Sequence, residues 1–205
     1  MEKLKSLIQN QVESNIIYED GDEVLNLHRV IISSDWNPSN TDEPSFSYLP
    51  DYEFKNGTIE VDVKSMFLKD APEYARGFIG VAFRVNKDLK QYESFYIRPS
   101  NGECDDQVRR NHTTQYYSYP NHKWFVLREN EPKKYESYAD VAMNQWIHLK
   151  IKVLGERAEL YINHSKNPSL IVNDLKLGKE AMGSVGLWTE IGTDAYFKNL
   201  NIIHD

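Results

Sequence analysis

Residues 57–64 read GTIEVDVK, with Ile59, Val61 and Val63 alternating with Glu60, Asp62 and Lys64. A period of two puts one set of side chains on a dry face and the other in water, as in a half-buried strand and unlike any helix. The pattern recurs. In 77–85, Ile79, Val81, Phe83 and Val85 share one face and Phe78, Gly80, Ala82 and Arg84 the other, where the small residues leave room above a sheet. In 92–98, Phe95 and Ile97 oppose Tyr92, Ser94, Tyr96 and Arg98. Residues 145–153 and 157–163, joined by Gly155 and Glu156, form a hairpin with Ile147, Leu149, Ile151, Val153, Ala158, Leu160 and Ile162 inward.

Shorter pieces complete the set. Residues 16–33 read as two strands around the turn Glu19-Asp20-Gly21-Asp22, and 36–44 as a loop. Strands follow at 170–172, 185–188 and 195–203, the last slipping phase near Lys198 as a bulge would make it. Leu4, Leu7 and Ile8 stand at helical spacing, which predicts a short N-terminal helix in an arm spanning 1–13. No longer segment carries a helical period. Many short strands punctuated by Gly, Pro, Asn and Asp predict an all-β jelly-roll sandwich, a single domain over 1–205 with neither repeat nor linker.

Charge and cysteine content narrow the partners. The net charge of −7 comes with basic pairs only at Arg109-Arg110 and Lys133-Lys134, which argues against nucleic acid or an anionic membrane and favours uncharged or cationic ligands. No apolar run approaches the roughly 20 residues of a membrane helix. Cys104 is the sole cysteine, so no internal disulfide forms. The first residues, MEKLKSLIQNQVES, lack a signal-peptide core. That predicts a cytoplasmic protein if the chain is complete, and a periplasmic or extracellular one if a signal has been removed. The oligomeric state is left open.

The stretch 92–119 opens as a strand and then collects a turn at Pro99 to Gly102, Asp105-Asp106, Arg109-Arg110, Asn111, His112, Gln115 and paired tyrosines. So many polar groups cannot be buried unpaired, so they form either a solvated loop or the wall of a cleft. On the cleft reading, Asp105, Asp106, His112 and Glu136 are the acid and base candidates, and an Asp106–Arg109 pair is expected on the wall. Thirteen tyrosines supply flat apolar faces with polar tips. The ligand-binding candidates are Tyr96, Arg98, Gln107, Arg109, Arg110, Asn111, Tyr116, Trp124 and Trp188. Asp105, Asp106 and Asn101 offer oxygens for a structural calcium but match no calcium loop, and no His pair has zinc spacing, so no metal or other cofactor is expected.

The pieces GTIEVDVK, GFIGVAFRV, YESFYIRP, QWIHLKIKVLGERAELYIN and GSVGLWTEIGTDAYFKNLNI, taken in that order, resemble the concanavalin A-like lectin/glucanase superfamily. Within it the chain looks most similar to bacterial domains of the 3-keto-disaccharide hydrolase or family-16-like glycoside hydrolase type, over about residues 50–205 at the level of fold. The resemblance implies two curved antiparallel sheets, a ligand groove on the concave one, and a carbohydrate as partner. It leaves two functions open, a glycoside hydrolase-like enzyme and a non-catalytic lectin-like module. The glucanase pattern E-x-D-x-E or E-x-D-x-x-E is incomplete, since Glu60-Val61-Asp62 is followed by Val63, Lys64 and Ser65. Retaining hydrolysis needs two carboxyl groups about 5 to 5.5 Å apart, so Glu60 and Asp62 read as the wet face of a strand.

Overall fold

The computed structural model describes residues 2–30 and 40–205. Its strands are β1 (Ile8–Asn10), β2 (Val12–Glu19), β3 (Asp22–Arg29), β4 (Phe46–Tyr48), β5 (Gly57–Phe67), β6 (Ile79–Val85), β7 (Tyr92–Ile97), β8 (Thr114–Tyr119), β9 (Glu136–Ser137), β10 (Ile147–Leu154), β11 (Arg157–Ile162), β12 (Leu170–Val172), β13 (Ser184–Thr189) and β14 (Thr193–His204). Four short helices accompany them: α1 (Glu2–Lys5), α2 (Pro99–Gly102), α3 (Gln107–Arg110) and α4 (Trp124–Asn130). The strands make two antiparallel seven-stranded sheets, a concanavalin A-like jelly-roll sandwich. The first runs β1-β4-β13-β6-β7-β8-β9 and the second β12-β11-β10-β5-β14-β3-β2. No described helix is long and apolar enough to cross a membrane.

The second sheet is built on the 57–64 alternation. Ile59, Val61 and Val63 are buried and pair across to Ile151, Leu149 and Ile147 of β10. On its outer face Glu60 meets Lys150 at 3.1 Å and Asp62 meets His148 Nδ1 at 2.7 Å, as expected for a wet face. The bulge expected near Lys198 is present: β14 passes from Lys198 opposite Asp62 to Asn201 opposite Glu60, with Asn199 at φ 58°. One extra residue restores the inward phase, so Ile202 is buried like Phe197.

The first sheet turns Ile79, Val81, Phe83, Phe95 and Ile97 toward the second, with Phe83 and Phe95 stacked at 6.1 Å. A second bulge lies in β6, where the register slips between Val85 opposite Ser184 and Ala82 opposite Gly186. Arg84 takes φ 54° there and leaves the Gly80–Ala82 face on which alternation would place it. Its buried guanidinium instead donates to the carbonyls of Lys55, Gly155 and Gly178, tying β6 to the hairpin end of the other sheet.

The outer face of the first sheet is not wet. Gly80, flanked by Tyr96 and Trp188 in the register, carries no side chain, and those two rings pack with centroids 4.8 Å apart. A Cβ on Gly80 would come within 2.2 Å of Phe95 O, so only glycine fits that strand contact. Phe46, Tyr92 and Tyr117 extend this layer, all buried. Residues 41–45 close over it: Tyr92 Oη donates to Asp42 O, Trp188 Nε1 to Glu43 O at 2.8 Å, and Ser45 Oγ to Thr189 O at 2.6 Å.

Three expectations are corrected. The N-terminal helix ends at Lys5, and Leu7 and Ile8 do not continue it, because Ile8–Asn10 pairs with β4 as an edge strand. The polar remainder of the stretch 92–119, expected as a solvated loop or cleft wall, includes a strand, since 113–118 are buried and Thr114–Tyr119 pairs with β7. A seven-residue helix, α4, stands where the sequence carries no clear helical period. The expected end of the second strand at Ser33 and the loop part at 36–39 lie outside the described residues.

Candidate functional site

Above the outer aromatic layer of the first sheet lies a cavity of about 270 Å3. It is lined by Thr41 and Asp42, by Tyr74, Arg76 and Phe78, by Tyr96, Arg98 and Asn101, by Arg109 and His112, by Trp124 and Arg128, and by Glu190. These segments are far apart in sequence. They meet because β6, β7, β8 and β13 are neighbours in the sheet and their ends carry the loops that rise around its edge.

Each charged side chain is held by a nearby partner. Trp124, at the start of α4, donates its backbone N–H to Asp42 Oδ2 at 2.6 Å and its Nε1 to Thr41 Oγ1 at 2.9 Å. One helical turn on, Arg128 lies 4.6 Å over the Trp124 ring and forks onto Glu136, with Nη2 at 2.6 Å from Oε2. Glu136 Oε2 in turn lies 2.8 Å from His112 Nδ1. Arg98 stacks on Tyr96 at 4.8 Å and donates to Tyr96 Oη at 2.7 Å, Gln115 Oε1 at 3.1 Å and His112 O at 2.7 Å. Arg109 reaches Asn101 Oδ1 through Nη2 at 3.2 Å.

Burial sets the protonation states. Asp42 is pushed up to about 7 by desolvation, partly offset by the Trp124 N–H and reinforced by the nearby Glu190 charge. His112 is lowered by its own burial and then by the Arg128 charge, with Glu136 pulling the other way. Glu190 is raised by burial although Arg29 bonds it. Near neutrality the cavity therefore holds a partly protonated carboxyl and a neutral imidazole. Such opposed shifts separate an acid from a base.

Of the residues singled out from sequence, Tyr96, Arg98, Arg109, His112 and Trp124 line the cavity, and Glu136 stands behind His112. Trp188 lies beneath Tyr96, buried, as part of the floor's support. Tyr116 points the other way. It is adjacent to Tyr117, so only one of the two can face outward, and Tyr116 is inside, bonding Glu93 and accepting from Lys176 N at 2.9 Å. Asp105, Gln107 and Asn111 are exposed, Gln107 bonding Asn111 at 2.8 Å, and Arg110 lies over Tyr138 at 5.0 Å. The expected Asp106–Arg109 side-chain pair is not formed. Asp106 caps α3, accepting from Val108 N at 2.9 Å and Arg109 N at 3.2 Å, because a carboxylate one position before a helix satisfies its free N–H groups.

Asp106→Ala is accordingly expected to lower stability by about 1 kcal/mol, the usual worth of an N-cap, and to leave ligand affinity unchanged. Thermal melts and a binding titration check both halves. Thr41, Asp42, Tyr74, Arg76, Phe78, Arg128 and Glu190 were not legible as site residues, since nothing in the sequence around them marks a site. No group of three or more His, Cys, Asp or Glu able to hold a metal occurs among the described residues.

A two-sheet antiparallel jelly roll with a cavity on the outer face of one sheet defines the chain as a concanavalin A-like β-sandwich. Residues 8–203 match the 3-keto-alpha-glucoside-1,2-lyase-like domain, and the chain belongs to that family. Among solved structures it resembles carbohydrate binding module CBM66 from Bacillus subtilis, with 15% identity over 94% of each chain and a TM-score of 0.52. A Bacillus subtilis protein of unknown function with a galectin-like fold is similar at 13% identity over 98% of this chain and 89% of that one, with a TM-score of 0.54. These two likenesses are of fold. No curated protein sequence matches the chain.

Proposed function

We propose that the cavity holds one sugar ring and that the domain cleaves a 3-keto-glycoside by elimination across C1 and C2. The observation that carries this reading is the convergence in one cavity of a buried carboxyl, a histidine backed by a carboxylate, and guanidinium groups, walled by Trp124, Tyr96, Tyr74 and Phe78. Aromatic faces stack on the C–H patches of a sugar while the polar groups hold its hydroxyls. A 3-keto group acidifies the hydrogen on C2. His112, neutral because it is buried and with its Nδ1 2.8 Å from Glu136 Oε2, takes that proton through its other ring nitrogen. The electron pair passes through an enediolate, whose negative oxygen an arginine such as Arg98 stabilises, and forms the C1–C2 double bond as the C1–O bond breaks. Protonated Asp42 supplies the proton to the departing oxygen. The products are the free alcohol and an unsaturated 3-keto sugar.

The family description names this substrate class, and the acid and base pair suits it better than glucanase hydrolysis. Glu60 and Asp62 lie on the other sheet, paired with Lys150 and His148. The test is to incubate the protein with a 3-keto-α-glucoside bearing a chromogenic leaving group. Release of the chromophore together with an unsaturated sugar, and a rate that falls as pH rises through about 7 where Asp42 ionises, are the expected results. Binding without release at any pH would replace the enzyme by a non-catalytic carbohydrate-binding module.

A further inference from the structure

Arg76, Arg98 and Arg109 all line the cavity, and none has a carboxylate within 4.0 Å among the described residues. Arg128, by contrast, is matched by Glu136, and Glu190 by Arg29. The backbone and side-chain oxygens that meet the three guanidiniums leave donors over. Arg76 spends only Nη1, on Glu73 O and Ala75 O, and Arg109 spends Nε and Nη2 on Asn101 Oδ1. Burial and then the charges of Arg109 and Arg98 push Arg76 below its ordinary value, so both like charges act on Arg76 across the same space. Three like charges gathered around a cavity whose two carboxyls are Asp42, partly protonated, and Glu190, already matched by Arg29, are unfavourable unless something negative sits among them.

Resting on the saccharide reading above, we propose that the sugar accepted here carries a permanent anionic substituent, a carboxylate, sulfate or phosphate, seated between Arg76 and Arg109. Arginine is the residue that meets such groups with paired N–H donors. Asn101 holds Arg109 from the side away from its unused Nη1, while Arg98, tied to Tyr96 and to the sheet through Gln115, is left for the ring itself. This departs from the expectation of uncharged or cationic ligands, because net charge is a property of the whole surface and the cavity samples only its own walls.

Calorimetric titrations with methyl glucoside, methyl glucuronide, glucose 6-phosphate and inorganic phosphate at low salt test the proposal. The acidic sugars are expected to bind at least about tenfold more tightly than methyl glucoside, the worth of one charged hydrogen bond, and to lose that advantage as salt is raised. In Arg76→Gln and Arg109→Gln the ratio of acidic to neutral affinity should fall toward one. Equal wild-type affinity for methyl glucoside and the acidic sugars would overturn the anionic substituent and leave the saccharide reading standing. Inorganic phosphate binding as tightly as glucose 6-phosphate, with methyl glucoside not bound, would keep the anion site and overturn the saccharide reading. An absence of binding by all four would overturn both.

Discussion

Asp42→Asn is expected to lower turnover of a 3-keto-α-glucoside by about 100- to 10,000-fold, the usual contribution of a general acid, while making the folded protein more stable at pH 8. The two effects have one cause. Burial raises this carboxyl from 3.8 to about 7, so between those values the folded protein keeps a proton that the unfolded chain releases. Stability from this group is thus full in acid and declines as pH rises toward 7, above which a carboxylate stays buried and ionised. The difference of roughly three units corresponds to about 4 kcal/mol as an upper bound. Asparagine keeps an oxygen to accept the Trp124 N–H and carries no charge. Its melting temperature should therefore exceed that of the parent by up to about 10 °C at pH 8 and by little at pH 4. Equal shifts at both pH values would mean that Asp42 is not protonated near neutrality, and full activity in the variant would remove it from the mechanism.

The second large effect is expected far from the cavity. Arg84→Met should lower stability by about 3 kcal/mol or more, because it strands the carbonyls of Lys55, Gly155 and Gly178 that the guanidinium now satisfies. For a domain of this size that is a fall in melting temperature of roughly 6 to 12 °C. Arginine and methionine meet the same strained φ of 54° at this position, so backbone strain cancels in the comparison. Arg84→Gly relieves the strain and removes the same hydrogen bonds, and should be destabilising by somewhat less than Met. A melting temperature for Arg84→Gly at or above the parent's would show that strain at the bulge outweighs the hydrogen bonds of the guanidinium.

Arg84 and Asp42 illustrate different kinds of illegibility. Arg84 lies in a clearly patterned strand, yet alternation assigns it to the wrong face. Alternation holds only while the register does, and the extra residue opposite Val185 reverses it. Near Lys198 the slip left a mark, because the apolar phase visibly changes between Phe197 and Ile202. Asp42 left none: in a turn-rich stretch it reads like any loop acid, and its altered proton affinity exists only because Trp124, 82 positions away, and the sheet edge enclose it.

What the sequence by itself determined is the class of sandwich and the strands β2, β3, β5 to β7 and β10 to β14, whereas β1, β4, β8 and β9 carry no pattern that set them apart. Inward positions such as Ile59, Val61, Val63, Leu149, Ile151 and Leu160 are dictated by local period, and burial of those positions is what drives the two sheets together. It also singled out His112 and Glu136, whose chemistry was plain though their contact was not. Only the tertiary structure brought those two to 2.8 Å, sent Tyr116 inward and Tyr96 outward, and gave Asp106 to a helix cap in place of the cavity wall. It alone gathered Arg76, Arg98 and Arg109 without carboxylate partners among the described residues. The reason is physical: secondary structure follows from neighbours along the chain, whereas desolvation and charge proximity depend on which distant segments a sheet's strand order places side by side.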